Sequence, residues 1–580
     1  MKKIIVIMLS IIFLSACQDV LEEEFRNPQQ YEPEPDQLAS GLFTSTLIQG
    51  KFYVKDYGEY WWQLSGNGMP SYGQISTRYI TPRYTWFIDY DDLANGNGFS
   101  QDGFNWFNDF YLRMRNWGVI QDVLENLEGQ DYDDSIVYLK LISIIKDWGA
   151  LRNVDLYNSI PYLLAFKGTQ GEFFTEYDDP EVIYKSVLDD LKSIADELPG
   201  IYANMSPDGI ATLETQDIAL HGDIGKWVQY TNALRLRFAV KLAGVDAEFS
   251  ITHISDAIGN LPTEDLAFEF PHIDAAATLP QGSTWHRGLF ERAFVTFIPN
   301  IIMNRMNFHN LEYEEGIDDP RLPVIALPTK YNDYRGVSMD ADAQNQPYID
   351  GETYYPFGDN LEESSLENSK SMYSHITLMH NNVPGDMITL GEIDLLLAEV
   401  AAKGLVATGK SAGEHIEDAV IHSTDYWYYL NSLSSYGTDI SEPWASLVHP
   451  IKPSAAIIGT YAAKVKNAFD MRSGIESQME IIMQQKYIHL NLLRPIELWS
   501  ELRRTRHPKL EPMTFQGKVM KPEPERIMYP GSELSTNTEA FLKVIDQNNW
   551  TSPIFWMTDN SSYYRSDYVS FKTSIEPDFD

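Results

Sequence analysis

Apolar residues recur at steps of three or four over long stretches of this chain. From Ile224, the residues Trp227, Thr231, Leu234, Phe238 and Leu242 make one mostly apolar stripe, and Gly244 follows as a C-terminal stop. Asp179-Pro180 reads as an N-cap followed by proline at the first helical position. That helix carries Ile183, Val187, Leu191, Ala195 and Leu198, and Pro199-Gly200 is expected to end it. Thr389 and Glu392 form a capping box ahead of Ile393, Leu396, Leu397 and Val400, with Gly404 as the stop. Ser411 and Glu414 repeat the box before Ile416, Ala419, Val420 and Trp427. Two capped helices joined by a short loop predict an antiparallel helical hairpin. A further pattern runs from Glu476 to about Arg503, broken at Arg494-Pro495.

The pattern predicts a mainly all-α fold of stacked, tetratricopeptide-like helical hairpins packed against a loop-rich region. No consensus repeats at a fixed period of about 34 residues, so the expectation concerns geometry and not sequence repetition. Helical character is expected over 105–250 and 386–505, and loops over 63–105 and 262–385, all within one unit spanning 41–580. The polar, Gly/Pro/Asn-rich stretches 63–105, 262–290 and 328–388 lack either periodicity. Loops of that length in a compact domain are usually functional or poorly ordered.

The first of these loops is dense in aromatic residues. Tyr57, Tyr60, Trp61, Trp62, Tyr72, Tyr79, Tyr84, Trp86, Phe87, Tyr90, Trp106 and Tyr111 fall between 57 and 111, against 13% aromatic content overall. Sugar rings have apolar C–H faces and polar rims, and a flat aromatic surface with amide or guanidinium neighbours suits them. Asn67, Gln74, Arg78 and Arg83 are near in sequence. Trp61, Trp62, Tyr79, Tyr84 and Trp86 are the candidate ligand-binding residues; the alternative is that they pack the loop or meet a partner. Trp106 and Tyr111 open a helical segment and are expected to pack. Tyr354, Tyr355, Phe357 and Tyr373 form a second, sparser group.

The N-terminus fixes location before function. Lys2 and Lys3 precede the apolar run Ile4 to Leu14, interrupted only by Ser10, and Leu14-Ser15-Ala16-Cys17 closes it. This is the layout of a secretory signal over 1–16 ending in a lipobox, with Cys17 as the lipidated residue; the alternative is an ordinary signal that happens to contain a cysteine. The run is shorter than the roughly 20 residues a spanning helix needs. Cys17 is the single cysteine, so no intramolecular disulfide competes for it. Two or more acyl chains anchor stably where one does not. Residues 17–40 then read as the lipidated cysteine and an acidic, Pro-containing tether: Asp19, Glu22, Glu23 and Glu24, then Pro28, Pro33 and Pro35. The expected location is the outer membrane, lipid-anchored and exposed at the cell surface.

Charge narrows the partners. Asp and Glu number 83 against 44 Lys and Arg, a formal net charge of −39. Phosphate backbones repel such a surface, which argues against nucleic acid. The sequence has no His-Glu-x-x-His zinc signature. Paired carboxylates could serve a glycosidase, but 83 acids make that pattern uninformative. His253, His272, His286, His309, His375 and His380 lack metal-ligand spacing. Asp89, Asp91, Asp92, Asn95 and Asn97 offer oxygens of the kind calcium prefers, without EF-hand spacing. No metal, cofactor or catalytic residue is expected.

Ordered segments along the chain resemble the SusD/RagB family of nutrient-binding outer-membrane lipoproteins. They begin with Asp155-Leu156-Tyr157-Asn158-Ser159-Ile160-Pro161-Tyr162, Ile183-Tyr184 and Gly222-Asp223-Ile224-Gly225-Lys226-Trp227. Asn232-Ala233-Leu234-Arg235-Leu236-Arg237, Asp319-Pro320-Arg321-Leu322, Thr389-Leu390-Gly391-Glu392, Leu397-Ala398-Glu399 and Lys403-Gly404 continue the set. Gln485-Lys486-Tyr487-Ile488, Glu497-Leu498-Trp499, Arg503-Arg504-Thr505 and Arg526-Ile527-Met528-Tyr529-Pro530 complete it, over roughly 105–541. The likeness is greatest to the SusD-like, starch-binding-associated branch, and 328–388 departs most from the pattern. The resemblance implies a helical fold with tetratricopeptide-like units. It also implies a partner, a TonB-dependent outer-membrane barrel of the SusC type on which the lipoprotein sits as a lid, importing oligosaccharide or oligopeptide. The expected function is therefore capture and delivery of such nutrients without bond breaking. The alternatives are a surface glycan-degrading enzyme and a structural lid with no ligand of its own.

Overall fold

The computed structural model describes residues 35–48, 106–268, 298–336, 371–434, 448–510, 514–515, 518–519 and 525–564, less 169–170, 172–173, 308–310, 379, 381, 492 and 550. Helix α1 is Pro35–Ile48, α2 is Trp106–Leu124 and α3 is Gly129–Tyr157. Helix α4 is Pro180–Asn204, and the Asp179 carboxylate accepts from the N–H groups of Glu181 and Val182 at its start. Helices α5 (Pro207–Gln216), α6 (Ile224–Leu242) and α7 (Ala247–Ala257) begin on Ser206, Asp223 and Asp246 in the same way. Helix α8 is the short Asn300–Met306. In the second half, α9 (Leu390–Ala402), α10 (Ala412–Ser432) and α11 (Ala455–Asp470) start on Thr389, Ser411 and Ser454. Helices α12 (Ile475–Leu490) and α13 (Pro495–Thr505) follow, split where Arg494-Pro495 predicts. Each such side-chain cap satisfies an otherwise orphaned N–H and is worth about 1 kcal/mol.

Two expectations about boundaries need correction. Helix α4 does not end at Pro199-Gly200 but runs through them to Asn204. Proline removes one amide donor from the helix; the extra turn is held because Ile201 and Tyr202 pack against the core. The box at Thr389 is only half made. Thr389 Oγ1 accepts from Glu392 N at 3.4 Å, while the Glu392 carboxylate turns inward to Arg237. The box at Ser411 is complete, with Glu414 Oε2 accepting from Ser411 N at 2.7 Å.

Neighbouring helices pack side by side: α3 on α4, α4 on α6, α6 on α7, then α9 on α10, α10 on α11 and α9 on α12. This is the stacked-hairpin, mainly α architecture that the periodicity predicts. Gly404 (φ 63°) terminates α9 in the left-handed region and turns the chain into α10. Strand β1 (Leu266–Phe268) pairs antiparallel with β2 (Gly385–Ile388), with Leu266 opposite Ile388, and brings the chain back to the start of α9. A large apolar core runs through α1–α8 into α9, α10 and α13, and a second gathers Leu395, Ile416, Val420, Tyr461, Val465 and Ile482 from α9 to α12.

Charge penetrates the large core. Arg237 on α6 grips Glu392 on α9 with Nε and Nη2 at 2.7 and 2.9 Å. Lys241 sits 2.8 Å from Asp155 and 2.9 Å from Glu497. Arg504 binds both oxygens of Glu399 at 2.6 and 2.7 Å and also reaches Glu501, which holds Lys486 at 2.9 Å. Arg321 closes on Asp319 and on Gln485 Oε1. Arg503 lies over the Trp499 ring at 3.8 Å and donates to the carbonyls of Asp155 and Glu525. The polar residues of the family-like segments are therefore in large part the buried ion pairs that tie one hairpin to the next.

Candidate functional site

An open cleft of about 560 Å³ lies where the end of α4 meets the start of α6. Its shape depends on Asp217, which is fully buried just after α5. The Asp217 carboxylate accepts from the N–H groups of Ala219, Leu220 and Gly222 and from the Trp227 indole at 2.7 Å. That knot folds 217–222 into a tight turn, with His221 (φ 53°) and Gly222 (φ 76°) both left-handed. At Gly222 an added Cβ would lie 3.2 Å from Glu214, so glycine is required there by both space and conformation. Glu214 from the end of α5, His221 from the turn and Asp223 at the start of α6 all line the cleft. Tyr202 and Asn260 line it as well, and Ile224 and Val228 supply an apolar floor. A ring with an apolar face and a hydroxylated edge suits this mix: carboxylates, imidazole and amide hydrogen-bond the rim, and the floor excludes water.

The residues singled out from the sequence fall into two groups. Cys17, Trp61, Trp62, Tyr79, Tyr84 and Trp86 lie outside the described residues, as do Asn67, Gln74, Arg78, Arg83, the acidic loop from Asp89 to Asn97, and Tyr354, Tyr355 and Phe357. Tyr111 packs as expected, donating to the Pro161 carbonyl at 2.6 Å among Phe107, Phe110 and Phe166. Tyr373 is fully buried in a bridge with Ala326, so it belongs to the core and offers no ligand surface. His253 is buried between Arg235 and Asp189, and the His380 ring meets the Thr377 and Leu430 carbonyls. The cleft was not anticipated. Its signal was the Gly222-Asp223 pair immediately before the apolar stripe of α6, a turn followed by an N-cap.

A second polar group lies on the α9–α10 hairpin, where donor atoms of Asp394, His415 and Asp418 come within 4.8 Å of one another. No helix among the described residues is long and apolar enough to cross a membrane.

Residues 77–530 match the model of the SusD-like family described as starch-binding and associating with the outer membrane. Among solved structures, the fold is similar to a chitin-binding protein (TM-score 0.62, 21% identity, 89% of this chain and 100% of that one). It is also similar to SusD homologues from Bacteroides fragilis (TM-score 0.63, 18% identity, 90% and 100% covered) and Parabacteroides distasonis (TM-score 0.62, 18% identity, 92% and 100% covered). No curated protein matches the sequence.

Proposed function

This chain belongs to the SusD-like family, and on that premise we propose that it binds oligosaccharide at the outer membrane and hands it to a partner transporter. The observation that carries the reading is the family match over 77–530, which takes in the helical scaffold and part of the aromatic segment 61–86. In this reading Cys17 carries the lipid anchor, and the surface-exposed fold sits on a TonB-dependent barrel of the SusC type. Trp61, Trp62, Tyr79, Tyr84 and Trp86 form the ligand platform. The mechanism is equilibrium capture followed by closure onto the barrel. Starch and chitin are what relatives are described as binding; both are polymers of pyranose rings, which stack on aromatic faces for the same physical reason.

The test is calorimetry of the lipid-free protein against starch and chitin oligosaccharides, with Trp61→Ala and Trp86→Ala alone and together. An aromatic face contributes about 1 kcal/mol beyond area burial, so the double variant should bind at least about tenfold more weakly. Its thermal midpoint should hold. A midpoint that drops by many degrees would assign these rings to packing. New reducing ends in the incubated oligosaccharide would replace capture with catalysis. In cells, Cys17→Ala should abolish palmitate labelling and release the protein from membranes.

A further inference from the structure

On α10, His415, Asp418 and His422 stand at spacings of three and four, so they share one face of the helix. That face meets Asp394 on α9. Asp394 Oδ2 lies 2.6 Å from His422 Nδ1, and Asp394 Oδ1 lies 4.0 Å from His415 Nδ1. The His415 side chain is only 4% exposed. Its Nε2 is 2.8 Å from Thr408 Oγ1, and the Thr408 hydroxyl donates its proton to the Lys410 carbonyl at 2.9 Å. Thr408 therefore accepts from His415, which places the imidazole proton on Nε2. Nδ1 is left as a bare lone pair, buried and without a hydrogen-bond partner. It faces a carboxylate oxygen, another acceptor, and two facing acceptors call for a cation between them.

We propose that Asp394, His415 and Asp418 form a site for a divalent transition-metal ion of the zinc class, which staples the second helix of the hairpin to the first. The donor set makes the choice. One imidazole nitrogen and two carboxylates suit a borderline ion that accepts four ligands, whereas calcium takes six to eight oxygens. The Thr408 hydroxyl plays the orienting part that an outer hydrogen bond plays for a metal-bound histidine. The donor atoms, within 4.8 Å of one another, must draw together to meet bond lengths of about 2.0–2.2 Å. Asp418 and Lys410 supply that movement: Lys410 now pairs with Asp418, and its ammonium is more than half exposed and free to withdraw into water. His422, already on Asp394, is placed to hold that carboxylate or to become the fourth ligand.

The test uses the full soluble chain stripped with EDTA. Zn²⁺ should bind at one equivalent by calorimetry and raise the thermal midpoint, since an ion that binds only the folded state stabilises it. Co²⁺ should give the visible absorption of a four-coordinate ion, and Ca²⁺ at the same concentration should do neither. Asp418→Asn, a partly exposed position whose variant should fold, and Asp394→Asn should each weaken Zn²⁺ by at least about tenfold. His415→Gln should abolish the cobalt spectrum. No zinc binding to the wild type, or zinc binding unchanged in Asp418→Asn and Asp394→Asn, would overturn the proposal.

Discussion

Glu392 and Asp394 stand two residues apart on α9, some 200° around the helix from each other, and so belong to two different charge clusters. Glu392 faces α6, where the Arg237 fork takes both of its oxygens and burial excludes everything else. Asp394 faces α10, where one oxygen is held by His422 and the other looks across 4.0 Å at a lone pair. The first cluster is closed: its donors and acceptors are matched, and it has no capacity for a ligand. The second is open, with an acceptor surplus at the surface end of the hairpin. A buried carboxylate thus reports structure when a guanidinium completes it, and a binding capacity when the chain itself does not.

The sharpest way to break this comparison is to remove one partner from each cluster. Arg237→Met leaves the Glu392 carboxylate buried without the guanidinium that binds both its oxygens, and breaking a buried pair in this way typically costs about 3–5 kcal/mol. Glu399→Gln should act similarly on Arg504, whose other carboxylate partner is Glu501. Asp394→Asn removes charge from a cluster that already has too many acceptors, and should cost less than about 1 kcal/mol in metal-free buffer. Urea unfolding of the three variants measures this. Equal costs at Arg237 and Asp394 would dissolve the distinction.

Acid provides a second test. Burial alone would raise the Glu392 carboxyl, but Arg237 and then Arg494 more than reverse this and hold it at about 2. Glu399 is likewise held at about 2 by Arg504 and Lys403 against burial. A carboxylate depressed in the folded state stabilises fully above its unfolded pKa of about 4.3 and loses that contribution as pH falls toward 2, about 3 kcal/mol for each group. His489 responds earlier. Burial lowers it to about 4, and its ring nitrogens meet Ser423 and Thr389. Its contribution is complete above about 6.5 and is lost as pH falls through 4. Urea midpoints at pH 7, 5 and 3 should therefore fall in two windows. In Arg237→Met the lower window should shrink, because Glu392 is no longer depressed by its main partner. Identical profiles for the two proteins would remove Glu392 from the account.

These buried pairs also mark where the sequence could and could not be read. Stripes and caps located the helices because an amphipathic face and an N-cap are local properties. They gave α6 a single apolar stripe from Trp227 to Leu242, yet Arg235, Arg237 and Lys241 between those positions are also buried. One helix alone cannot show that its polar face will be covered, since the covering residues come from α9, α13 and Asp155. The stop at Pro199-Gly200 failed for the same reason: tertiary packing of Ile201 and Tyr202 outweighs a local breaker. The His415, Asp418, His422 spacing was not singled out in the sequence, because Asp394 completes it only through the hairpin. The aromatic segment 61–86 stands on composition alone, and its residues lie outside those described.

The smallest effect separates capping from charge. Ser411 and Glu414 close a complete box on exposed sequence at the start of α10, while Thr389 makes a long 3.4 Å cap and spends its hydroxyl also on His489 Nε2 at 2.6 Å. Ser411→Ala should cost about 1 kcal/mol, the usual worth of a cap, and Glu414→Ala should cost less because water replaces its contact. Both substitutions loosen the first turn of α10, which carries Glu414 and His415 and so holds the imidazole in place. If the open cluster depends on that turn, Ser411→Ala should weaken zinc more than its own cost in stability explains. If it depends only on the α9–α10 contact, zinc affinity should be unchanged while the thermal midpoint falls slightly. Calorimetry and thermal unfolding on the same variant distinguish the two outcomes.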